Sequence, residues 1–220
     1  MASYFNLTLD TTAPSGLTVS INDDDIYTTT PVVNLAVSVS DEVTTGYQMK
    51  IWGVEGAAEE NDATWENYQT AKSITLPTGD GLKTVYVKVR DSVGNETSAV
   101  SDAITLDTSV PTVTVTGPDK AVISEVAGFD TAIINFMVDV AFKAYKVCVV
   151  SATSATQADG VVIPTTAGSS NTSGSDGEYE ADTNIQVTIK GTDLETASSG
   201  DGVKTIKVFA QNAAGTWSVA

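Results

Sequence analysis

The sequence contains no histidine. Histidine is the commonest general base, a frequent metal ligand and the side chain that titrates near neutral pH, so its absence removes three routes to chemistry. The single cysteine, Cys148, excludes a disulfide within the chain. Without a histidine beside it, the thiol also lacks the usual base that activates a nucleophile. The composition therefore predicts a protein that is not an enzyme and uses no cofactor.

Basic residues are scarce: 11 Lys and Arg face 28 Asp and Glu, for a formal net charge of −17. Nucleic acids and anionic membranes both bind basic surfaces, so both partners are excluded. The acidity is typical of a solvated surface, with divalent-cation binding as the alternative. The acidic positions open to calcium are Asn22 to Asp25 (NDDD), Asp10 and Asp107. A solvated turn for the first and turn-capping for the others are favoured, so no metal site is predicted.

Long apolar runs are missing as well. None approaches the ~18 residues of a membrane-spanning helix. Residues 1–16 (MASYFNLTLDTTAPSG) lack the basic start and the apolar stretch of a secretory signal, so the chain is expected to stay in the cytoplasm unless a leader has been removed. Helix formers never cluster at helical spacing, whereas Thr, Ser, Val, Asp and Gly recur throughout, which indicates a β-rich protein.

What the sequence does contain is a repeat. The stretch GDGLKTVYVKVRDSVGNETS at residues 79–98 returns in degenerate form as GDGVKTIKVFAQNAAGTWS at residues 200–218, with equivalent positions 121 apart. In the first copy the glycines open a turn, after which Val85, Val87 and Val89 alternate with Tyr, Lys and Arg. This period of two predicts a strand with one buried face.

Two further echoes support a duplication. LDTTAP at residues 9–14 returns as LDTSVP at 106–111, and the apolar run at 47–51 returns at 145–149, at offsets of 97 and 98. The growth of the offset to 121 implies about 23 extra residues in the second copy. The Gly- and Ser-rich segment TTAGSSNTSGSDGEYEAD, residues 165–182, is the predicted insertion and is expected to be an exposed loop.

The repeats predict two homologous modules, at residues 10–106 and 107–220, preceded by an N-terminal strand or arm at residues 1–9. Short alternating segments fill the modules; in the first they lie at residues 33–39, 47–52, 73–76, 83–89 and 103–106. About seven such strands in ~100 residues, separated by turn signals, are typical of an immunoglobulin-like sandwich. The predicted fold class is all-β, with two tandem immunoglobulin-like β-sandwiches.

Four motifs make the resemblance more specific: Trp65, GDG-x-K-T at residues 79–84, D-x-x-G-N at 91–95 and L-D-T-x-x-P at 106–111. Together they resemble the bacterial-type Ig-like modules of bacterial surface proteins and phage virion proteins. The second module keeps GDG-x-K-T but has no counterpart of Trp65 and replaces DSVGN by NAAGT. The resemblance implies a packing role for Trp65 and a protein that acts as spacer, decoration or binder.

Joined to the missing export signal, the resemblance implies a non-enzymatic structural component of a phage virion, as a head decoration or tail appendage protein. Such a protein is made in the host cytoplasm and reaches the virion by assembly. Its partners would be other virion proteins or copies of itself, with host-surface glycans as a further adhesion ligand. The alternatives are a bacterial surface adhesin or filament subunit fragment, which is extracellular, and a carbohydrate-binding accessory module.

Acidic and aromatic residues mix at residues 59–68, where Glu59, Glu60, Asp62 and Glu66 surround Trp65 and Tyr68. Paired carboxylates beside aromatic rings occur in glycosidases and sugar platforms, but no second constellation supports cleavage. Carbohydrate contact through Trp52 and Trp217, both expected to be exposed, stays open. Cys148 is out of phase with its apolar neighbours, so it is expected off the main core, either exposed or covered by a neighbour, and reactive in the isolated chain.

The repeat leaves one strand over. The first module ends with DAITL before its LDT motif, whereas the second stops at GTWSVA without an equivalent. YFNLTL, residues 4–9, resembles DAITL and also runs into LDT, with Leu7 and Leu9 matching Ile104 and Leu106. One hypothesis is an assembly strand, in which Phe5, Leu7 and Leu9 of one subunit complete the second module of a neighbour or insert into another virion protein. The alternative is that residues 4–9 form the first strand of the first module and that the second module is frayed.

Overall fold

The computed structural model describes residues 5–41, 44–175 and 177–219. Its contacts divide the chain into two compact units, unit 1 (Met1–Thr108) and unit 2 (Ser109–Ala220). The strands of unit 1 are β1 (Thr18–Ile21), β2 (Tyr27–Thr28), β3 (Val32–Ser38), β4 (Gln48–Trp52), β5 (Glu66–Asn67), β6 (Ala71–Thr75), β7 (Gly81–Arg90) and β8 (Val100–Leu106). All five strands predicted in the first module overlap observed ones.

Unit 1 is an immunoglobulin-like sandwich of two sheets. One sheet has the order β1-β3-β6, and the other has the order β2-β8-β7-β4-β5. All pairings are antiparallel except that of β2 with β8. Alternate residues of β3 and β7 face the space between the sheets, where Leu35, Val85, Val87 and Val89 are fully buried. The period-two pattern read from the sequence is therefore the core pattern.

Unit 2 repeats this plan with fewer paired strands. Its elements are β9 (Val113–Thr116), β10 (Thr131–Val138), β11 (Ala144–Val150), β12 (Val161–Val162), β13 (Ser173–Gly174), β14 (Ile185–Lys190), α1 (Gly191–Ala197) and β15 (Thr205–Gln211). One sheet has the order β14-β10-β9. In the other, β11 pairs with β15 on one edge and with β12 and β13 on the other. Both units are thus Ig-like sandwiches, as predicted.

The segment predicted as an exposed loop, residues 165–182, is anchored to the sandwich; Asp176 lies outside the described residues. Tyr179 exchanges two backbone hydrogen bonds with Phe142, at 2.9 and 3.1 Å. The two rings stack with centroids 4.8 Å apart, and Tyr145 meets Tyr179 edge-on. Thr172 is buried as well. The expectation of an exposed loop is therefore wrong at these positions, because an aromatic cluster holds the segment against the core.

The helix α1 was not expected from the sequence. It follows β14 directly and carries Asp193, which is fully buried. The Asp193 carboxylate accepts hydrogen bonds from the backbone N–H groups of Ala167 (2.9 Å) and Ser169 (2.8 Å). The helix and the Gly- and Ser-rich segment therefore hold each other in place. No helix in the described ranges is long and apolar enough to cross a membrane.

Candidate functional site

The two units follow the same path at the end of their long repeat strands. After β7, Thr97 donates its N–H to the carbonyl of Val89 (2.9 Å), and its hydroxyl accepts the N–H of Val89 (3.1 Å). After β15, Ser218 makes the same two bonds with Ala210, at 2.8 and 3.2 Å. Thr97 and Ser218 are equivalent on the repeat. The backbone of unit 2 thus copies unit 1 as far as this point.

The two units differ in what lies beside their long repeat strands, β7 and β15. In unit 1, β8 pairs with β7 from Gly81↔Leu106 to Val87↔Val100. In unit 2, the described residues place no strand beside the corresponding edge of β15, which we call the open edge and define as residues 202–208. An unpaired strand edge offers a row of backbone donors and acceptors to another chain.

The open edge presents its hydrogen-bonding groups outward at alternate residues. Val147 of β11 bonds to Ile163 and Thr172, on the side away from β15. Its partner Val208 therefore points its N–H and C=O away from β11, and by the two-residue period so does Ile206. In the described part of the chain, nothing bonds to these groups of Ile206 and Val208.

The core of unit 2 is also less covered at this edge. In unit 1, Ile104 and Leu106 of β8 are 0% and 2% exposed, and Val85 beside them is fully buried. Ile206, the counterpart of Val85, is only half-buried. Val115 is paired with Phe136 and therefore shares its core-facing side, yet it is 45% exposed. The open edge thus borders apolar surface that β8 covers in unit 1.

The predicted assembly-strand residues are among the most exposed apolar side chains in the described ranges. Phe5, Leu7 and Leu9 are 88%, 87% and 85% exposed. Residues 5–9 form no strand, and β1, the first strand of unit 1, begins at Thr18. The part of the predicted arm at residues 1–4 lies outside the described residues. The structure therefore leaves an apolar, unpaired segment at 5–9.

The acidic positions considered for calcium lie in turns or form backbone hydrogen bonds. Asp10 accepts the N–H of Thr12 (3.0 Å), which is the expected turn cap before Pro14. The NDDD stretch forms a short 3₁₀ turn whose three aspartates are exposed, as expected for a solvated turn, and Asn22 accepts the N–H of Asn34 (2.8 Å). Asp107 donates its backbone N–H to Thr28 (2.9 Å). Across the described ranges, no three acidic or thiol side chains gather as a metal would require.

The carboxylates at residues 59–66 are each used by the fold. Asp62 accepts the N–H of Glu59 (3.2 Å) in a capping box. Glu60 pairs with Lys88 (2.6 Å), and Glu66 pairs with Lys72. A shallow groove of about 550 Å³ between β4 and β6 includes Asp62 and Glu66, but its described lining contains no aromatic ring. Within this groove, therefore, Asp62 and Glu66 have no sugar-stacking ring beside them.

The three tryptophans also have partners within the chain. Trp52 lies outside the main core, as its phase predicts, but it stacks on Tyr86 (5.4 Å) and is only 7% exposed. The expectation that Trp52 is exposed is therefore wrong. Trp65 is half-buried with the guanidinium of Arg90 over its ring (4.4 Å), so its packing role lies outside the core. Trp217, which was also expected to be exposed, is instead half-buried against the Cys148 cluster, with the Lys146 ammonium 4.9 Å from its ring centre.

Cys148 lies off the main core, as its phase predicts. It belongs to a separate small cluster with Phe209, which Val162 and Trp217 help to cover, and it is 0% exposed. A Cβ added at Gly160 would lie 2.7 Å from the Cβ of Cys148, so the covering chain approaches closely. Burial raises the pKa of the thiol, against a smaller opposing effect of Lys146. The expectation of a reactive thiol in the isolated chain is therefore wrong, because the cover comes from the same chain.

No protein-family profile and no curated protein sequence matches the chain. Fibronectin(III)-like modules of Clostridium thermocellum CbhA are similar at 14% identity and a TM-score of 0.44, over 92% of this chain and 90% of that one. The D00-D0 domain of intimin gives 18% identity and a TM-score of 0.30, over 90% and 92%. The BSP domain of a biofilm-associated protein gives 11% and 0.26, over 91% and 27%. The fold assignment rests on the strand order described above.

Proposed function

We propose that the chain is a non-enzymatic structural module of a surface-exposed assembly, which joins to its neighbours through exposed strand-forming segments. One observation carries the proposal. The candidate catalytic groups found in the sequence are engaged in caps, ion pairs or clusters. In the described part of the chain, by contrast, the apolar segment 5–9 forms no strand, and the outward backbone groups of Ile206 and Val208 have no hydrogen-bond partner. Unpaired edges and exposed apolar side chains serve association.

The proposed assembly lies either on a phage particle or on a bacterial surface. The motifs around Trp65 and residues 79–84 resemble modules of both phage virion proteins and bacterial surface proteins. We propose that the chain is a virion decoration or appendage protein, with a bacterial surface adhesin or filament subunit as the alternative. Host-surface glycans remain a proposed adhesion ligand in either case.

Immunogold labelling tests the location. An antibody raised against the purified chain is applied to purified phage particles and to intact bacterial cells from the same source. Labelling of heads or tails supports the virion role, and labelling of the cell envelope alone replaces it with the bacterial one. Labelling confined to the cytoplasm of sectioned cells contradicts a surface assembly altogether.

A further inference from the structure

Segment 5–9 and the open edge of β15 match each other as β8 and β7 do. On the repeat, Leu7 and Leu9 correspond to Ile104 and Leu106, which lie in the core of unit 1 at 0% and 2% exposure. In segment 5–9 the same two positions are 87% and 85% exposed. Among the described residues, unit 2 therefore has no counterpart of β8, and the chain carries an unpaired segment with the matching sequence.

We propose that residues 5–9 of one copy of the chain add to the open edge of β15 in a second copy. The inference deepens the proposed function, since it names the partner as another copy and the contact as an added strand. Main-chain hydrogen bonds would supply the affinity, and the alternate side chains Phe5, Leu7 and Leu9 would fill the apolar gap.

Unit 1 supplies the register of the added strand. There Leu82 pairs with Thr105, Lys83 with Ile104 and Val85 with Asp102. When the repeat offsets are applied to this register, the predicted pairs are Val203↔Thr8, Lys204↔Leu7 and Ile206↔Phe5. The outward N–H and C=O groups of Ile206 then meet Phe5, and the side chains of Leu7 and Leu9 point into unit 2.

The side-chain chemistry favours this strand over a polar one. Phe5 takes the place of Asp102, whose carboxylate accepts the backbone N–H of Ile21 (2.7 Å) in unit 1. In unit 2 the neighbouring strand β9 offers Val115, 45% exposed, on the core-facing side. An aromatic ring at this point covers the apolar surface favourably, whereas a carboxylate placed against the same surface would be poorly solvated. The donated strand thus fits unit 2 better than a copy of β8 would.

Cysteine cross-linking tests both the partner and the register. Thr8 is exposed and Val203 is 99% exposed, so neither Thr8→Cys nor Val203→Cys removes a core contact. Their counterparts Thr105 and Leu82 form a non-hydrogen-bonded antiparallel pair, which brings Cα atoms to about 4.5 Å, within the range of a disulfide. The native thiol of Cys148 is buried and does not compete.

The experiment mixes two purified full-length chains, one carrying Thr8→Cys and the other Val203→Cys, under mild oxidation. We expect a covalent heterodimer on a non-reducing gel. The matched control mixes Thr8→Cys with Leu82→Cys, because Leu82 is the equivalent of Val203, is 71% exposed and lies on an edge already filled by β8. Heterodimer yields above the control support the proposal.

Equal yields in the two mixtures, or no heterodimer in either, overturn the proposal. A chain carrying both Thr8→Cys and Val203→Cys that closes only on itself, as a cross-linked monomer, overturns the assignment of a second copy as partner. Unchanged thermal melting of each variant verifies that the fold is intact. Because the measurement uses purified chain, its outcome is independent of whether the assembly sits on a virion or on a cell.

Discussion

At the scale of single residues, a few buried polar groups hold irregular segments in place. Asp193 joins α1 to residues 167–169 through two backbone N–H groups. Asp91 does the same in the DSVGN turn, where its carboxylate accepts N–H groups of Val93, Gly94 and Asn95 at 2.7 to 2.9 Å. In unit 2 the equivalent Asn212 accepts the N–H of Thr216 (2.7 Å). An amide can thus replace the carboxylate in this turn.

Replacing Asp193 tests how much its two bonds contribute. In Asp193→Asn, one acceptor oxygen becomes an amide group that cannot accept, so a backbone N–H in a buried site loses its partner. We expect the free energy of unfolding to fall by about 1–3 kcal/mol, measured by urea denaturation. Asp201→Asn, at an exposed turn position, is the matched control and should leave stability unchanged. Equal stability of both variants would show that Asp193 is dispensable.

Three carboxyl groups should make the stability of the fold depend on pH. Burial opposes ionisation of Asp91 and Asp193, but hydrogen bonds from Asn95 and its neighbours and from Ser169 and Ala167 outweigh it, so both pKa values are lowered. A backbone hydrogen bond from Thr112 likewise lowers the pKa of Asp139. A lowered folded-state pKa means that the unfolded chain takes up protons first on acidification.

The stability that these groups contribute is therefore present above the unfolded Asp pKa of about 3.9 and is lost as pH falls through the lower folded-state values. We expect the urea midpoint to hold from neutrality to about pH 5 and to drop below about pH 4. The drop should be shallower in Asp193→Asn. A midpoint that stays constant down to about pH 3 would contradict these carboxyl interactions.

Cys148 offers a third test at this scale. Because Gly160, Val162 and Trp217 cover it, we expect the native thiol to react with a disulfide reagent only as fast as the cover opens. Val203→Cys, added to the same chain, should react at once and so provides an internal control. Trp217→Ala should accelerate the Cys148 reaction. Immediate reaction of Cys148 in the unmodified chain would show that this face is open.

At the scale of secondary-structure elements, the sandwich strands were predictable because their pattern is local. The alternation of Val85, Val87 and Val89 and the glycines at 79 and 81 mark β7 and its turn without reference to the rest of the chain. The repeat then transfers β7 to β15. The match of residues 7–9 with 104–106 was also visible in the sequence, and it is the basis of the assembly-strand hypothesis.

What the sequence did not predict depends on distant contacts. The helix α1 begins with Gly191 and Thr192, which are poor helix formers, and it is held by Asp193 bonding to a loop more than twenty residues away. Tyr179 gives no local sign that it will stack on Phe142. The cover over Trp52 and Cys148 comes from other elements, so strand phase placed both outside the main core but did not reveal their burial.

The alternation of segment 5–9 leads to a prediction about its two faces. Phe5, Leu7 and Leu9 share one face, and Asn6 and Thr8 share the other. We expect Leu7→Asp to weaken self-association by at least about tenfold, since it places a charge where an apolar side chain should be buried. Thr8→Asp adds the same charge on the outer face and should have little effect. Equal effects of the two substitutions on the dissociation constant would exclude a one-sided strand contact.

At the scale of the whole molecule, a donated strand makes the interface head-to-tail. The donor lies in unit 1 of one copy and the acceptor in unit 2 of the next, so a joined pair still has one free donor and one free acceptor. Such a contact continues into a filament, or closes into a ring whose smallest form is a dimer that exchanges both strands. One donated strand per copy is therefore enough to build a repeating assembly.

Sedimentation velocity of the full chain and of a chain lacking residues 1–9, over a range of concentrations, tests the central claim most directly. The full chain should show species larger than the 22.8 kDa monomer, with a mean mass that rises with concentration. The truncated chain, with its thermal melt unchanged, should remain a monomer throughout. If both chains sediment as monomers, or if the truncated chain assembles as well as the full one, strand donation by residues 5–9 is not what joins the copies.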